Sequence, residues 1–289
     1  MPHYQSICDS KVALHPNPIG VVEFYGGQFF GQLPVGSYEY LLQCLYDAGY
    51  TLIVVPYQFS TDHWEVARSL LRKRDCVRQK FPELKDVPHF WVGHSLGCKL
   101  IALLEASTTS DNKFQPPQIH RLSEDAGLTG ILDQPSLLLA PTLPDNDDLI
   151  PVGFIGDIMD KLNIGIKPTR PETRALIEKS GMFNLTGIIS FASDDTAGHV
   201  GSPEDKDVPW LIKHFSEPDH KLVQKQLPGG HLTPTGNEVL GYVISTEIVA
   251  GFLILPDIEK PPRELEPLAI SLLEKLINRL PESKRAKRK

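Results

Sequence analysis

The feature that most constrains the fold of this chain is the pentapeptide Gly-His-Ser-Leu-Gly at residues 93–97. It matches the pattern Gly-x-Ser-x-Gly, which places a serine in a sharp turn between a strand and a helix. The flanking sequence has the required character, because the apolar residues 90–92 precede the pentapeptide and the helix-favouring residues 99–106 follow it. The pentapeptide therefore predicts that Ser95 lies at such a turn; a tight turn holding an ordinary serine is the alternative.

The rest of the chain alternates short apolar runs with segments of helical periodicity. Buried strands are predicted at residues 19–25, 51–55, 90–92, 136–140 and 187–191, with an edge strand at 221–227. Helices are predicted at residues 37–50, 64–71 (extending toward 81), 99–106, 171–180 and 268–280, and a buried helix at 239–255. Strands separated by helices favour an α/β fold, a mostly parallel sheet with helices on both faces.

The chain length of 289 residues suits a single domain covering residues 1–289. Residues 107–134 are predicted to be an irregular insertion, and residues 142–184 an inserted helical cap with an amphipathic helix at 150–162. The apolar residues of this cap either line an acyl or lipid pocket or form the cap's own core: Ile150, Val152, Phe154, Ile155 and Ile158. The basic residues 284–289 are predicted to be a solvated tail.

Groups that could stabilise negative charge are predicted at two places near Ser95. The backbone N–H of Leu96 lies at the N-terminus of the helix that follows, where free N–H groups and the helix dipole favour an oxyanion. The loop Gly26, Gly27, Gln28 and Phe29 follows the first clear strand, where this type of fold supplies a second donor. The N–H of Gln28 or Phe29 is the predicted donor, and a plain Gly-Gly turn is the alternative.

A base and an acid are predicted from the chain order serine, acid, histidine that accompanies this pentapeptide. His231 follows the last strand in a Gly-rich loop and is the predicted base. There are two alternatives: His199 is the base instead, or His231 is an ordinary histidine of a surface loop. Asp194 and Asp195 both follow the preceding strand, and either would orient the imidazole, with a slight preference for Asp194.

Other reactive side chains are given structural roles. His94 is predicted to shape the turn, Cys98 to pack, and the acidic residues 145–148 to form a solvated loop, because no metal-ligand pattern follows them. No metal or cofactor is therefore predicted. The four cysteines, Cys8, Cys44, Cys76 and Cys98, form no Cys-x-x-Cys pair and are predicted to be free thiols in a reducing compartment.

Charge and hydropathy exclude two classes of partner. The formal net charge of −7 disfavours nucleic-acid binding, which requires basic surface. No apolar stretch reaches the length of about 18 residues that a membrane span needs, and the start of the chain lacks a secretory signal. We therefore expect a soluble cytoplasmic protein whose partner is a small-molecule acyl substrate; other partners are not predicted.

Several segments together resemble the DUF1350 family. They are residues 24–34 (Phe-Tyr-Gly-Gly-Gln-Phe-Phe-Gly-Gln-Leu-Pro), 40–42, 48–50, 55–57, 92–100 and 230–234. The resemblance implies the α/β-hydrolase fold and supports roles for Ser95 and His231. It names no reaction. The family occurs in cyanobacteria and photosynthetic eukaryotes, which makes a plastid location the alternative to the cytoplasm. The acid loop departs from the family pattern, which keeps a further acidic residue nearby, so the acid stays open between Asp194 and Asp195.

Together these residues predict a serine hydrolase-type enzyme that cleaves or transfers an acyl group from an ester, thioester or lipid-like substrate. The alternative is an inactive α/β-hydrolase-fold protein that serves in binding or as a scaffold. The presence of serine, acid and histidine in the required order favours the enzyme.

Overall fold

A computed structural model of the chain describes residues 2–117, 127–145, 165–180, 183, 185–216, 222–249 and 253–280. Its centre is an eight-stranded sheet with the strand order β1-β2-β4-β3-β5-β6-β7-β8. The strands are β1 (Gln5–Ile7), β2 (Ser10–Ala13), β3 (Gly20–Tyr25), β4 (Tyr50–Val54), β5 (His89–His94), β6 (Ser136–Leu139), β7 (Thr186–Phe191) and β8 (Val223–Leu227). β1 and β2 pair antiparallel, β2 pairs antiparallel with β4, and all other neighbours are parallel.

Helices cover both faces of this sheet. They are α1 (Pro34–Ser37), α2 (Glu39–Asp47), α3 (His63–Lys80), α4 (Leu96–Ala106), α5 (Arg170–Lys179), α6 (Asp207–Phe215) and α7 (Leu265–Ile277), with 3-10 turns at Phe30–Gln32 and Pro82–Asp86. Successive β3 residues face opposite cores, since Val21 packs with α3, α4 and α6, and Val22 packs with α2 and α7. The prediction of a mostly parallel sheet with helices on both faces is confirmed.

A second, three-stranded antiparallel sheet corrects one prediction. It consists of β9 (Asn237–Val239), β10 (Tyr242–Val249) and β11 (Leu253–Glu259), in the order β11-β10-β9. The buried helix predicted at residues 239–255 is therefore wrong. The segment is rich in β-branched residues, and in its first half Val243 and Ser245 are buried whereas Tyr242 and Ile244 are exposed. This alternation has the period of a strand, not of a helix.

Parts of the predicted organisation stay untested. Residues 146–164, with the helix predicted at 150–162, lie outside the described residues, as does the tail 284–289. The described end of the predicted cap is α5, which packs against α4 and buries Thr173 and Ile177. The β1–β2 hairpin and α6 were not predicted. The cap at residues 142–184 and the single-domain organisation remain predictions.

Two of the cysteines contradict the prediction of four free thiols. Cys8, in the turn between β1 and β2, forms a disulfide with Cys76 of α3, and their Cα atoms lie 6.0 Å apart. Cys44 and Cys98 are free. The pairing could not be seen in the sequence, because 68 residues separate the partners and no local spacing marks them.

None of the helices in the described part of the chain is both long and apolar enough to cross a bilayer.

Candidate active site

Ser95 lies where β5 ends and α4 begins, at the carboxyl edge of the parallel sheet. Its backbone has φ 54° and ψ −121°, a region that L-residues seldom adopt. Gly97 permits this turn, because a Cβ at that position would overlap the carbonyl oxygen of Tyr25. A Cβ on Gly93 would lie 2.9 Å from the backbone nitrogen of Cys98. The strand and helix therefore meet closely, and the serine hydroxyl projects above the sheet.

Three side chains from separate loops form a hydrogen-bonded chain. Ser95 Oγ lies 2.8 Å from His231 Nε2, and His231 Nδ1 lies 2.9 Å from Asp194 Oδ2. A carboxylate can only accept, so Nδ1 carries the proton and Nε2 is left to accept from the serine hydroxyl. Asp194 is fully buried, and its Oδ1 accepts the N–H groups of Thr196 and Ala197. Asp195, the other candidate, is exposed.

A second chain of hydrogen bonds runs behind Ser95 through Tyr38 and His94. The N–H of Gly27 donates to the Tyr38 hydroxyl at 2.7 Å, and that hydroxyl donates to His94 Nδ1 at 2.7 Å. His94 Nε2–H then donates to the carbonyl of His231 at 2.8 Å. Burial and the neighbouring His231 lower the pKa of His94 to about 3, so its ring is neutral at neutral pH. This network fixes the tautomer of His94.

The two regions predicted to supply oxyanion donors both lie next to Ser95. Leu96 begins α4, and Gly27 is so close that a Cβ on it would lie 3.2 Å from Ser95 Cβ. The N–H of Gly27 is occupied by Tyr38. No hydrogen bond among the described residues uses the N–H of Leu96, Gln28 or Phe29. The loop itself is fixed by Tyr57, whose hydroxyl donates to the carbonyl of Gly26 at 2.6 Å.

Arg263, which precedes α7, anchors the loop that carries His231. Its buried guanidinium donates to the carbonyls of Thr233 at 2.9 Å and Thr235 at 3.0 Å, and it pairs with the buried Glu266. Within the loop, Thr233 Oγ1 accepts the N–H of Gly230 at 3.0 Å. The backbone on the C-terminal side of His231 is thereby anchored to the core.

Sequence reasoning missed Thr142 and Tyr38. Thr142 Oγ1 lies 3.3 Å from Ser95 Oγ, and its N–H donates to the Ser95 carbonyl at 3.4 Å. Its position just beyond β6, the neighbour of β5, was a usable signal, because carboxyl ends of adjacent parallel strands meet. Tyr38 lies between two helical segments, and nothing in its local sequence marks it.

The remaining candidates are not brought to Ser95. His199 Nδ1 accepts the N–H of Gly201 within its own loop. The buried Cys98 thiol donates to the carbonyl of Leu139. Asp145 accepts the N–H of Arg170, and residues 146–148 lie outside the described residues. Within the described ranges, no group of three or more His, Cys, Asp or Glu side chains is arranged to hold a metal ion.

Comparison with known proteins shows the fold and a match to one family model over part of the chain. A model described as "Protein of unknown function (DUF1350)" matches residues 3–113. The solved structure of Thermogutta terrifontis esterase 2 is 13% identical with a TM-score of 0.52, and the alignment covers 96% of this chain and 92% of that one. FphF, a fluorophosphonate-binding serine hydrolase of Staphylococcus aureus, is 13% identical with a TM-score of 0.52. The alignment covers 80% of this chain and 90% of that one.

At these identities the structural likeness shows the fold alone. The curated proteins contain no match to the sequence. The resemblance to the DUF1350 family is thus confirmed over residues 3–113, and the chain has the α/β-hydrolase fold.

Proposed function

We propose that this protein is a serine hydrolase that cleaves or transfers an acyl group from an ester, thioester or lipid-like substrate. The observation that carries the proposal is the hydrogen-bonded chain from Asp194 through His231 to Ser95. A serine hydroxyl is a weak nucleophile, and it becomes useful when a base accepts its proton and a carboxylate orients that base.

In the proposed reaction, Ser95 Oγ attacks the substrate carbonyl while its proton passes to His231 Nε2. Asp194 stabilises the imidazolium that results. The carbonyl oxygen, now negative, is met by the N–H of Leu96 and by that of Gln28 or Phe29. His231 then protonates the leaving group, which departs and leaves the acyl group on Ser95 Oγ. Water or another acceptor gives its proton to His231 and attacks the acyl carbonyl; the Ser95 Oγ–acyl bond breaks, and His231 returns the proton to Ser95.

The experiment that tests this proposal is labelling with a fluorophosphonate, which reacts with an activated serine. The choice of probe is supported by the structural neighbour FphF, which is described as fluorophosphonate-binding. We expect the wild type to label, and Ser95→Ala and His231→Ala not to. Ser193→Ala is the matched control, because this exposed serine lies beside Asp194 but outside the hydrogen-bonded chain.

The same variants give a kinetic prediction. Ser95→Ala should lower ester hydrolysis by roughly 10⁴-fold or more, since the members of such a chain act as a unit. Circular dichroism should show an unchanged fold. A folded wild type that neither labels nor hydrolyses esters would instead favour the binding or scaffold protein.

A further inference from the structure

The turn between β9 and β10 contains a residue unfavourable for its conformation. Val239 pairs with Tyr242, so the connection is the two-residue loop Leu240-Gly241, and both residues have positive φ, 52° and 79°. A two-residue hairpin loop of this kind strongly prefers Asn-Gly, because Asn tolerates the left-handed region. A bulky side chain such as Leu240 is strained there.

Leu240 is also unfavourably solvated, because its side chain is 95% exposed. Four apolar neighbours are exposed on one face of the same sheet, here called the outer face: Val239, Tyr242, Ile244 and Ile258. Val239 pairs with Tyr242, and Ile244 pairs with Ile258, so the face is continuous across all three strands. A residue with a strained backbone conformation and an apolar side chain exposed to water indicates a functional contact. A contiguous exposed apolar face indicates an apolar partner.

The sheet is attached beside the proposed active site. It begins six residues after His231, and the N–H of Gly236 donates to the carbonyl of Ser37 at 3.0 Å. The N–H of Ser37 in turn donates to the carbonyl of Leu33, which is 77% exposed and follows the oxyanion loop by four residues.

More apolar side chains are exposed on the loops around Ser95. Phe29 of the oxyanion loop stacks on Phe59, which follows β4, and both rings are exposed. Because β3 and β4 are parallel neighbours, these loops meet at the carboxyl edge of the sheet. The exposed Ile19 lies at the opposite, amino edge, just before β3.

The charge of the sheet indicates which apolar partner it suits. Its strands contain no lysine or arginine, and the whole chain has net charge −7. The register pairs Glu238 and Glu259 with Val243, and Asp257 with Ser245, so these carboxylates lie on the face opposite the outer face. Basic side chains attract proteins to anionic lipid surfaces. An uncharged or zwitterionic surface is therefore the partner that fits.

We propose that the outer face and the turn residue Leu240 enter the surface of a neutral lipid assembly, and that Ser95 acts on an acyl ester presented there. A projecting leucine beside a tyrosine suits the boundary between lipid and water, where an apolar body and a polar tip are both satisfied. The substrate part of this inference rests on the proposed function, whereas the surface contact does not.

The test is flotation with phosphatidylcholine vesicles, using full-length wild type, Leu240→Asn and the control Ile19→Asn. We expect the wild type and Ile19→Asn to float, and Leu240→Asn to partition about tenfold more weakly, the effect of losing one buried leucine. Asn is favoured at this φ, so Leu240→Asn should unfold at the same temperature as the wild type or higher. Its hydrolysis of soluble p-nitrophenyl acetate should be unchanged, and that of a long-chain ester in vesicles should fall about tenfold.

Three flotation results would overturn the lipid contact. They are a wild type that does not float, a Leu240→Asn variant that floats like the wild type, or an equal loss in Ile19→Asn. A dimer by sedimentation that Leu240→Asn abolishes would assign the outer face to a second copy and also overturn it. Vesicle binding without fluorophosphonate labelling would refute the proposed function and leave the surface contact standing, and labelling without vesicle binding would refute only the contact.

Discussion

Tyr38 connects the three loops on which the proposed chemistry depends. Its buried hydroxyl accepts from Gly27, after β3, and donates to His94, at the end of β5, which donates in turn to His231 in the loop after β8. Burial raises the pKa of Tyr38 well above its usual value, so the hydroxyl keeps its proton and can donate. One hydroxyl thereby sets the distance between the oxyanion loop and the base.

We expect Tyr38→Phe to lower both stability and turnover. The change leaves the Gly27 N–H and His94 Nδ1 buried without partners, at a cost of about 1–3 kcal/mol for each unsatisfied group. It keeps the ring contacts with Phe24 and His94. The kcat for ester hydrolysis should fall about tenfold or more, because the oxyanion donor and base lose their common support.

Tyr46→Phe provides the comparison, since its hydroxyl donates to the carbonyl of Leu14, away from Ser95. Urea unfolding and kcat should be measured on both variants. Equal kcat in Tyr38→Phe and Tyr46→Phe would show that Tyr38 is only a structural residue.

At the residue scale, sequence order was informative where a residue follows a strand. Ser95, His231 and the pair Asp194 and Asp195 were singled out in this way, and the structure brings three of the four together. The choice between the two aspartates depended on which of them is buried, and the local sequence of two adjacent loop residues does not encode that. Tyr38 was missed because its role comes from packing between distant segments.

Between elements, a buried carboxyl joins α4 to β6. Glu105 Oε2 accepts from the hydroxyl of Ser136 at 3.1 Å, and burial raises the pKa of Glu105 from 4.5 to about 8. The folded protein therefore holds a proton that the unfolded chain loses above pH 4.5. The contribution of Glu105 to stability is fully present below pH 4.5 and is lost as the pH rises through about 8.

Glu105→Gln should remove this pH dependence. Each unit of pKa difference corresponds to about 1.4 kcal/mol, so the variant should gain stability relative to the wild type as the pH rises from 4.5 to 8. Urea unfolding at several pH values measures the difference in unfolding free energy between the variant and the wild type. The contributions of all other titrating groups cancel in this difference. The exposed Glu178→Gln is the control. A difference that stays constant over this range would contradict the assignment.

Elements were predictable where burial produced a simple pattern. The central parallel strands are buried throughout and mostly apolar, and their predicted positions agree with β3 to β7 within a few residues. The segment that forms β10 and the start of β11 was misassigned as a helix. The three-stranded sheet carries apolar residues on its exposed face as well as on its buried face, so the segment reads as a continuous apolar run. A long apolar run cannot be assigned to strand or helix by hydrophobicity alone.

For the molecule as a whole, the disulfide joins an edge of the central sheet to a helix that covers it. β1 and β2 form a short antiparallel hairpin at that edge, and β1 has only three residues, none of them fully buried. Cys8 in its turn is bonded to Cys76, across a separation of 68 residues. A link across so many residues restricts the unfolded chain strongly, by an amount that grows with loop length.

We expect reduction to lower the melting temperature without removing the active site. A loop of this size should contribute about 4 kcal/mol, or roughly 10 °C in a chain of this length. The double variant Cys8→Ser/Cys76→Ser should melt at the lower temperature with or without dithiothreitol, and Cys44→Ser should behave like the wild type. Fluorophosphonate labelling at 25 °C should survive reduction, because no residue of the hydrogen-bonded chain lies in the hairpin. Four thiols titrated after unfolding the unreduced protein in denaturant, together with an unchanged melting temperature on reduction, would contradict the link.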